Sequence, residues 1–343
     1  MFGSVVLDVA IGLSLLFLFV SLICSAIREA IETVISSRAS DLERGVRELL
    51  DDPTGQGAAT ALFAHPLIFS LYDGTYQPDR LRLHRSLLTG AQSLRMPIAA
   101  RGSLPAYIPS ANFARAFLDL TLRGPLGQAP VGAHAVLPVL SIDSLMATAR
   151  DMPDGRIRRA LLSALDAAEG DLLRVQLALE GWFDACMDRV SGWYKRRTQV
   201  MLLGIGLFAA GVMNIDAFSI GRALVQDKAL RDGAVAQAAE LVERADRTAV
   251  PAVVADEGFA ALQRDLDQIQ FPTGWEPPPQ RLWTKGADGV ARITAQPVLQ
   301  MLTGWLVTGF AVMLGAPFWF DMLNRFMVVR STIKPYQKSP PNS

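Results

Sequence analysis

The sequence predicts an all-α membrane protein with three transmembrane helices, a cytoplasmic helical domain and a smaller periplasmic helical element. Three observations predict it. Val5–Ile27, Val200–Ile220 and Val298–Phe320 are apolar segments, each close to the roughly 20 residues a helix needs to cross the hydrocarbon layer. Much of the chain between them follows helical spacing, apart from a looser region over about 55–140 rich in Pro, Gly and Arg, and nothing in it supports a sheet. Composition is mixed, 50% hydrophobic yet 19% charged, with a mean hydropathy of +0.25. That is too apolar in blocks for a soluble domain and too charged for a bare helix bundle. The net charge of +0 gives no basic footprint for nucleic acid.

The first segment reads as an uncleaved anchor. MFGSVVLDVAIGLSLLFLFVSLICSAIREA has no basic stretch before its apolar run, carries Asp8 near its start and ends without a small-x-small cleavage site. Flanking charge sets the orientation. Arg28, Arg38, Arg44 and Arg47 follow the first segment, Lys195, Arg196 and Arg197 precede the second, and Arg325, Arg330, Lys334 and Lys338 follow the third. The predicted plan is therefore N-out and C-in. Residues 1–27 form the first span, 28–199 a cytoplasmic domain and 200–220 the second span. Residues 221–297 form a periplasmic helical segment and loop, 298–320 the third span and 321–343 a cytoplasmic tail.

Between the spans the elements follow from local signals. The first span is expected to run on as one helix to Leu50, where Asp51-Asp52-Pro53 stops it. HPLIFSLYDG reads as a short helix, and Ser110 as the N-cap of ANFARAFLDLTLR, which Gly124-Pro125 ends. SIDSLMATARDM and GRIRRALLSALDAAEG are further helices. A long helix from Asp171 enters the second span, with an apolar stripe at Leu172, Val175, Leu179, Trp182, Cys186, Val190 and Trp193. The stripe is expected to pack on the 27–50 helix; an oligomer seam is the alternative. The periplasmic part reads as a helix over 221–246 and another over 257–270. No sheet is expected.

The strings MDRVSGWYKRRTQ, GWLVTGFAVMLGAPFWFDMLNRFM and LPAYIPSANFARAFLDL resemble those of a family of uncharacterised bacterial integral membrane proteins. The resemblance implies a bacterial inner-membrane protein on this three-span plan. It implies no activity, cofactor or site residue.

Ionisable groups in spans are the usual pointer to transport. Asp8, Asp216 and Asp321 all lie near span ends, and Asn214 and Arg222 stand close enough in sequence to cluster with Asp216. Asp321, with Asn324 one turn beyond it, exits the third span at the depth of Lys195–Arg197, and an ion pair is expected there. Pro317 is the candidate kink, expected in the last turns of the third span. Gly204, Gly206 and Ala210 offer a small-residue face for helix contact, within the chain or between copies. Glu180, Asp184 and Asp188 share one helix face and should repel, so an arginine at 38, 44, 158 or 159 is expected to compensate them; a divalent cation is the sharper reading. His65, His84 and His134 lie in separate contexts. GQGAAT lacks the Gly-Lys-Ser/Thr of a phosphate loop. Cys24 and Cys186 are not placed to pair. No cofactor or metal is expected. The function that follows is a non-enzymatic structural or interaction protein, partnered by the bilayer and by itself or another protein; the alternative is a subunit of an oligomeric channel or transporter.

Overall fold

The computed structural model describes residues 2–85, 92–124, 126, 138–247, 271–275, 283–285, 291–293 and 295–333. Its described residues are predominantly helical and form two compact units. One is Glu32–Arg196; the other combines Met1–Ile31 with Arg197–Ser343.

In the Glu32–Arg196 unit, helix α1 (Phe2–Ile35) gives way to α2 (Ser37–Leu49). The expected continuous helix through residue 50 is broken at Ser36, whose φ of 47° is left-handed. Glu32 accounts for the break. Its carboxylate accepts from Ser37 Oγ at 2.6 Å and from Arg38 N at 3.0 Å, replacing the acceptor that a new helix start lacks. There follow α3 (Ala58–Ala64), α4 (Pro66–Phe69), the strands β1 (Arg82–Arg85) and β2 (Gln92–Arg95), α5 (Ile98–Arg101), α6 (Ser110–Arg123), α7 (Ile142–Asp151), α8 (Arg156–Ala167) and α9 (Leu172–Val212). The antiparallel β1–β2 hairpin sets Arg82 opposite Arg95, where no strand was expected; alternation over four residues is too short a signal to read. Ser110 begins α6 but does not cap it. Pro109 holds that position, without a side-chain bond, because its fixed φ already starts the turn.

This unit has its own core. Phe63, Phe113, Phe117, Leu145, Leu161 and Phe183 are fully enclosed, and burying each such side chain contributes about 1.5–3 kcal/mol. The apolar stripe of α9 packs as expected at Val175, Leu179, Cys186 and Val190. Gly45 lets α9 approach α2, since a Cβ there would collide with the Val190 side chain. The stripe is shared with α6: Phe113 and Phe183 stack at 4.4 Å, and Trp182 meets Phe117 edge-on at 5.7 Å.

The second unit contains the start of α1, the end of α9, α10 (Ala217–Gln226), α11 (Lys228–Arg247), the β3 (Trp283–Lys285) and β4 (Ala291–Ile293) hairpin, α12 (Ala295–Leu314) and α13 (Ala316–Ile333). One helix, over Val5–Ile35, is long and apolar enough to cross a membrane, with a mean hydropathy of 2.6. The other two expected spans are bent pairs: α9 with α10 turns by 58°, and α12 with α13 by 94°. The helix of the second apolar segment therefore ends at Val212, before the expected Ile220, and that of the third at Leu314, before the expected Phe320. The expected helix over 221–246 is also interrupted, at Asp227, which accepts from Ala229 N and Leu230 N.

Gly315 makes the sharper turn, with φ at 85°. Pro317 lies in the first turn of α13, where its missing N–H is no loss. The expected break or kink falls at Gly315, two residues before Pro317, which starts the next helix. The core of this unit gathers Ile11, Leu15 and Phe19 of α1, Ile220 and Leu224 of α10, Val312 and Leu323. The expected helix over 257–270, His134, Lys334 and Lys338 lie outside the described residues.

Candidate functional site

Polar groups of the second unit concentrate where α9 breaks into α10. Unwinding at Met213–Asp216 frees main-chain carbonyls, and each must find a donor in an apolar setting. Trp275 Nε1 donates to the carbonyls of Gly211 and Val212, both at 3.1 Å. Gly274 N donates to Met213 O at 2.7 Å, and Thr308 Oγ1 to Ile215 O at 2.9 Å. Asn214 takes the left-handed conformation, φ 49°. Its Nδ2 donates to Gly274 O at 3.0 Å, and its Oδ1 accepts from Trp305 Nε1 at 3.3 Å. Asp216 caps α10, accepting from Phe218 N at 2.9 Å. A Cβ on Gly304 would overlap the Asp216 carboxylate, so glycine there admits the acid.

Asn214 and Asp216 both lie at this break but bond to different groups, and Arg222 joins neither among the described residues. It is exposed and donates to its own helix at Phe218 O, 3.4 Å. Trp275, Trp305 and Thr308 were not singled out by sequence. Their signal was only the position of Trp305 and Thr308 one turn apart on an apolar helix.

Asp8 has a partner that reverses an expectation. Arg330 Nε donates to Asp8 Oδ1 at 2.8 Å, and the Asp8 side chain is 7% exposed. Trp319 meanwhile packs on Phe17 with ring centroids 4.7 Å apart. From Trp319 to Arg330, α13 therefore advances from the middle of α1 toward its N-terminal end. The Gly315 turn folds α13 back so that Arg330 meets Asp8, whereas the expected C-in tail set Arg330 on the side away from Asp8. Asp321 is exposed and makes no ion pair among the described residues, whereas an ion pair with Lys195–Arg197 was expected of it. Lys195 and Arg196 are exposed, Arg197 half-buried. Asn324 Oδ1 is buried without a donor among the described residues.

The small residues also resolve. Gly206 and Ala210 are buried, and a Cβ on Gly206 would lie 2.9 Å from Val312 Cβ and 3.4 Å from Gly309 Cα. That face packs on α12 of the same chain. Gly204 is exposed with nothing near its Cβ position.

The Glu32–Arg196 unit holds a buried polar centre. Arg47 engages Glu43 through Nε at 2.6 Å and a second nitrogen at 3.2 Å. It also donates to Pro53 O at 2.6 Å and Leu94 O at 2.8 Å. Tyr76 Oη donates to Glu43 Oε1 at 2.8 Å. Asp52 accepts from Gly55, Gly57 and Ala59 N–H groups at 2.9, 2.8 and 3.1 Å. This arrangement ties α2, the loop after it and β2 together. It is a fastening: the Arg47 contacts are to groups of the chain itself, and Tyr76 is held protonated. Burial pushes the Tyr76 phenol up, and the Glu43 carboxylate adds to this. Its folded value lies above the unfolded phenol near 10, so its contribution is complete below pH 10 and is lost as pH rises beyond that. We expect thermal melts of the wild-type protein to fall steeply above pH 10. Tyr76→Phe should lower stability at pH 7 by about 1–2 kcal/mol and flatten the alkaline limb; an unchanged limb would remove Tyr76 as its source.

The acidic face of α9 is a solvated face. Asp184 and Asp188 are exposed, and Glu180 accepts from Gln176 Nε2 at 2.7 Å. Of the arginines expected to compensate it, Arg44 pairs instead with Glu48 and Arg158 with Asp154. Among the described residues no group of three His, Cys, Asp or Glu is placed to hold a metal ion. Comparison with protein-family models, with curated proteins and with solved structures finds no match.

Proposed function

We propose that this chain is a non-enzymatic integral protein of the bacterial inner membrane, in which the Glu32–Arg196 unit serves as a cytoplasmic helical interaction platform. One observation carries the membrane part. On α9 and α12 the outward side chains are large and apolar: Phe208 is 73% exposed, Leu299 63% and Phe310 51%, and Leu302, Leu306 and Leu314 continue the same surface. A continuous apolar surface of this kind matches acyl chains, not water. The platform reading is supported by the independent core of the Glu32–Arg196 unit and by the arginines that flank it in sequence.

The orientation we propose keeps the N-terminus outside and places Glu32–Arg196 inside. It moves the end of α13 to the outer face beside Asp8. Cysteine labelling tests it, because native Cys24 and Cys186 are buried. In intact cells an impermeant maleimide should label Gly233→Cys and Ser331→Cys. Asp166→Cys should react only after permeabilisation. Labelling of Asp166→Cys in intact cells would overturn the orientation. Labelling of Gly233→Cys without Ser331→Cys would return the C-terminus to the cytoplasm.

The second reading is a subunit of an oligomeric channel or transporter. The two broken helices favour it, since unwound backbone at membrane depth commonly lines a cavity. Ion flux from purified protein in liposomes would support that reading over the first.

A further inference from the structure

Several residues at the edge of the core of the Glu32–Arg196 unit also line a groove on its surface. Between α8 and α9, with Glu48 and Leu49 of α2 also lining it, lies a groove of about 720 Å³. On α8 it is lined by Ala160, Ala164 and Ala167, and on α9 by Ala178, Trp182 and Ala185. These positions recur at three, four or seven residues, so each helix turns one face to the groove. Both faces set alanine where a leucine would close the gap. The rim is basic, with Arg156, Arg159 and Arg189 standing over the single carboxylate of Glu48. Arg189 reaches Glu48 at 3.6 Å, and Arg156 reaches Asp51 at 3.4 Å across an exposed pair. Arg159 is exposed and has no ion pair among the described residues.

We propose that this groove docks an acidic amphipathic helix of a partner protein. The inference rests on the interaction-platform reading and names the partner's chemistry. A trough between two helices admits a third by seating its side-chain ridge, and alanine walls allow a close approach. The partner's apolar stripe would cover Trp182, the one large side chain on the floor and the type that anchors interfaces. Its flanking carboxylates would meet the three guanidiniums, which attract them from solution and set the register. A helix with basic flanks would be repelled by the same rim.

The test uses the full chain in nanodiscs of zwitterionic lipid and a fluorescein-labelled 18-residue peptide. The peptide carries leucine at heptad positions a and d and glutamate on both flanks; a control carries lysine in place of glutamate. Anisotropy should show saturable binding of the acidic peptide, with the basic control at least about tenfold weaker. Arg159→Glu should weaken the acidic peptide by about tenfold and strengthen the control. Ala185→Trp, at an exposed position, should block the acidic peptide by filling the groove, with the melting temperature unchanged. No saturable binding, equal binding of the two peptides, or indifference to both substitutions would overturn the proposal. Binding of oleate in the groove without binding of the peptide would overturn it too, and would assign the groove to an acyl anion. These results are separable from the platform reading, since the maleimide pattern does not depend on what the groove holds.

Discussion

Arg47→Ala is expected to destabilise the protein by about 3–5 kcal/mol, the range for removing one partner of a buried ion pair. The Glu43 side chain is 0% exposed and that of Arg47 4%. Without the guanidinium, Glu43 keeps only the Tyr76 hydroxyl as a partner in the described contacts, and the Pro53 and Leu94 carbonyls lose the donors they have from Arg47. Desolvation of a lone carboxylate dominates the cost, so the loss should be partly reversible by removing the charge. Glu43→Gln in the Arg47→Met background should recover more stability than it costs in the wild type, a coupling read from a double-mutant cycle of thermal melts. Additive effects would mean that the pair contributes no more than two exposed charges. Arg44→Ala is the control. Arg44 pairs with Glu48 at the surface, with side chains 26% and 36% exposed, and exposed pairs contribute about 0–1 kcal/mol.

Glu43 and Arg47 also show what kind of information the sequence withheld. Their i, i+4 spacing was visible, but on a helix surface that spacing most often marks a solvated pair. Burial came from Tyr76, Pro53 and Leu94, which reach α2 from later segments, and no local pattern announces such a contact. The α9 stripe was legible because its spacing alone identifies a face, and that face packs on α2 and α6. The three apolar blocks were legible for the same reason, as sums over many residues. Their ends were not. The break at Ser36 depends on a carboxylate four residues earlier, the break at Asn214 on donors from Gly274, Trp275 and Thr308 far along the chain, and the turn at Gly315 on one positive φ. Apolar composition continues straight through the last two. The Asp8–Arg330 pair joins the two ends of the chain, and flanking-charge reasoning had placed them on opposite faces. A rule that counts charges along a sequence carries no information about a helix that folds back.

Gly206→Leu is expected to destabilise the fold of the membrane unit, and Gly204→Leu is not. At Gly206 the first added carbon would already lie 2.9 Å from Val312 Cβ and 3.0 Å from Val312 Cγ1. Backbone therefore sits against backbone, with Gly309 Cα 3.4 Å away. In the membrane setting proposed above, lipid tails supply no hydrophobic drive between helices, so α9 and α12 are held by this close packing and by the bonds at the Asn214 break. Forcing an isobutyl group between them costs about 1–3 kcal/mol in a packed interior. Prising α12 away would also withdraw Thr308 from Ile215 O and Trp305 from Asn214, so the upper part of that range is expected. The measurable outcome is a lower melting temperature in detergent and a lower level in membranes. Gly204 lies two residues away, exposed and with open space where its side chain would be. Leucine there should leave melting unchanged, and this separates two uses of small residues that look identical in sequence. Contact within the chain makes Gly206 sensitive through stability, at any protein concentration. Contact between copies would act through oligomeric mass, and Gly204 with the neighbouring exposed Phe208 is the surface on which it would act. If Gly206→Leu melts like the wild type while its mass in detergent falls, the α9–α12 contact is not what holds this face. If Gly204→Leu alone lowers the mass, a second copy covers the face that the chain leaves open.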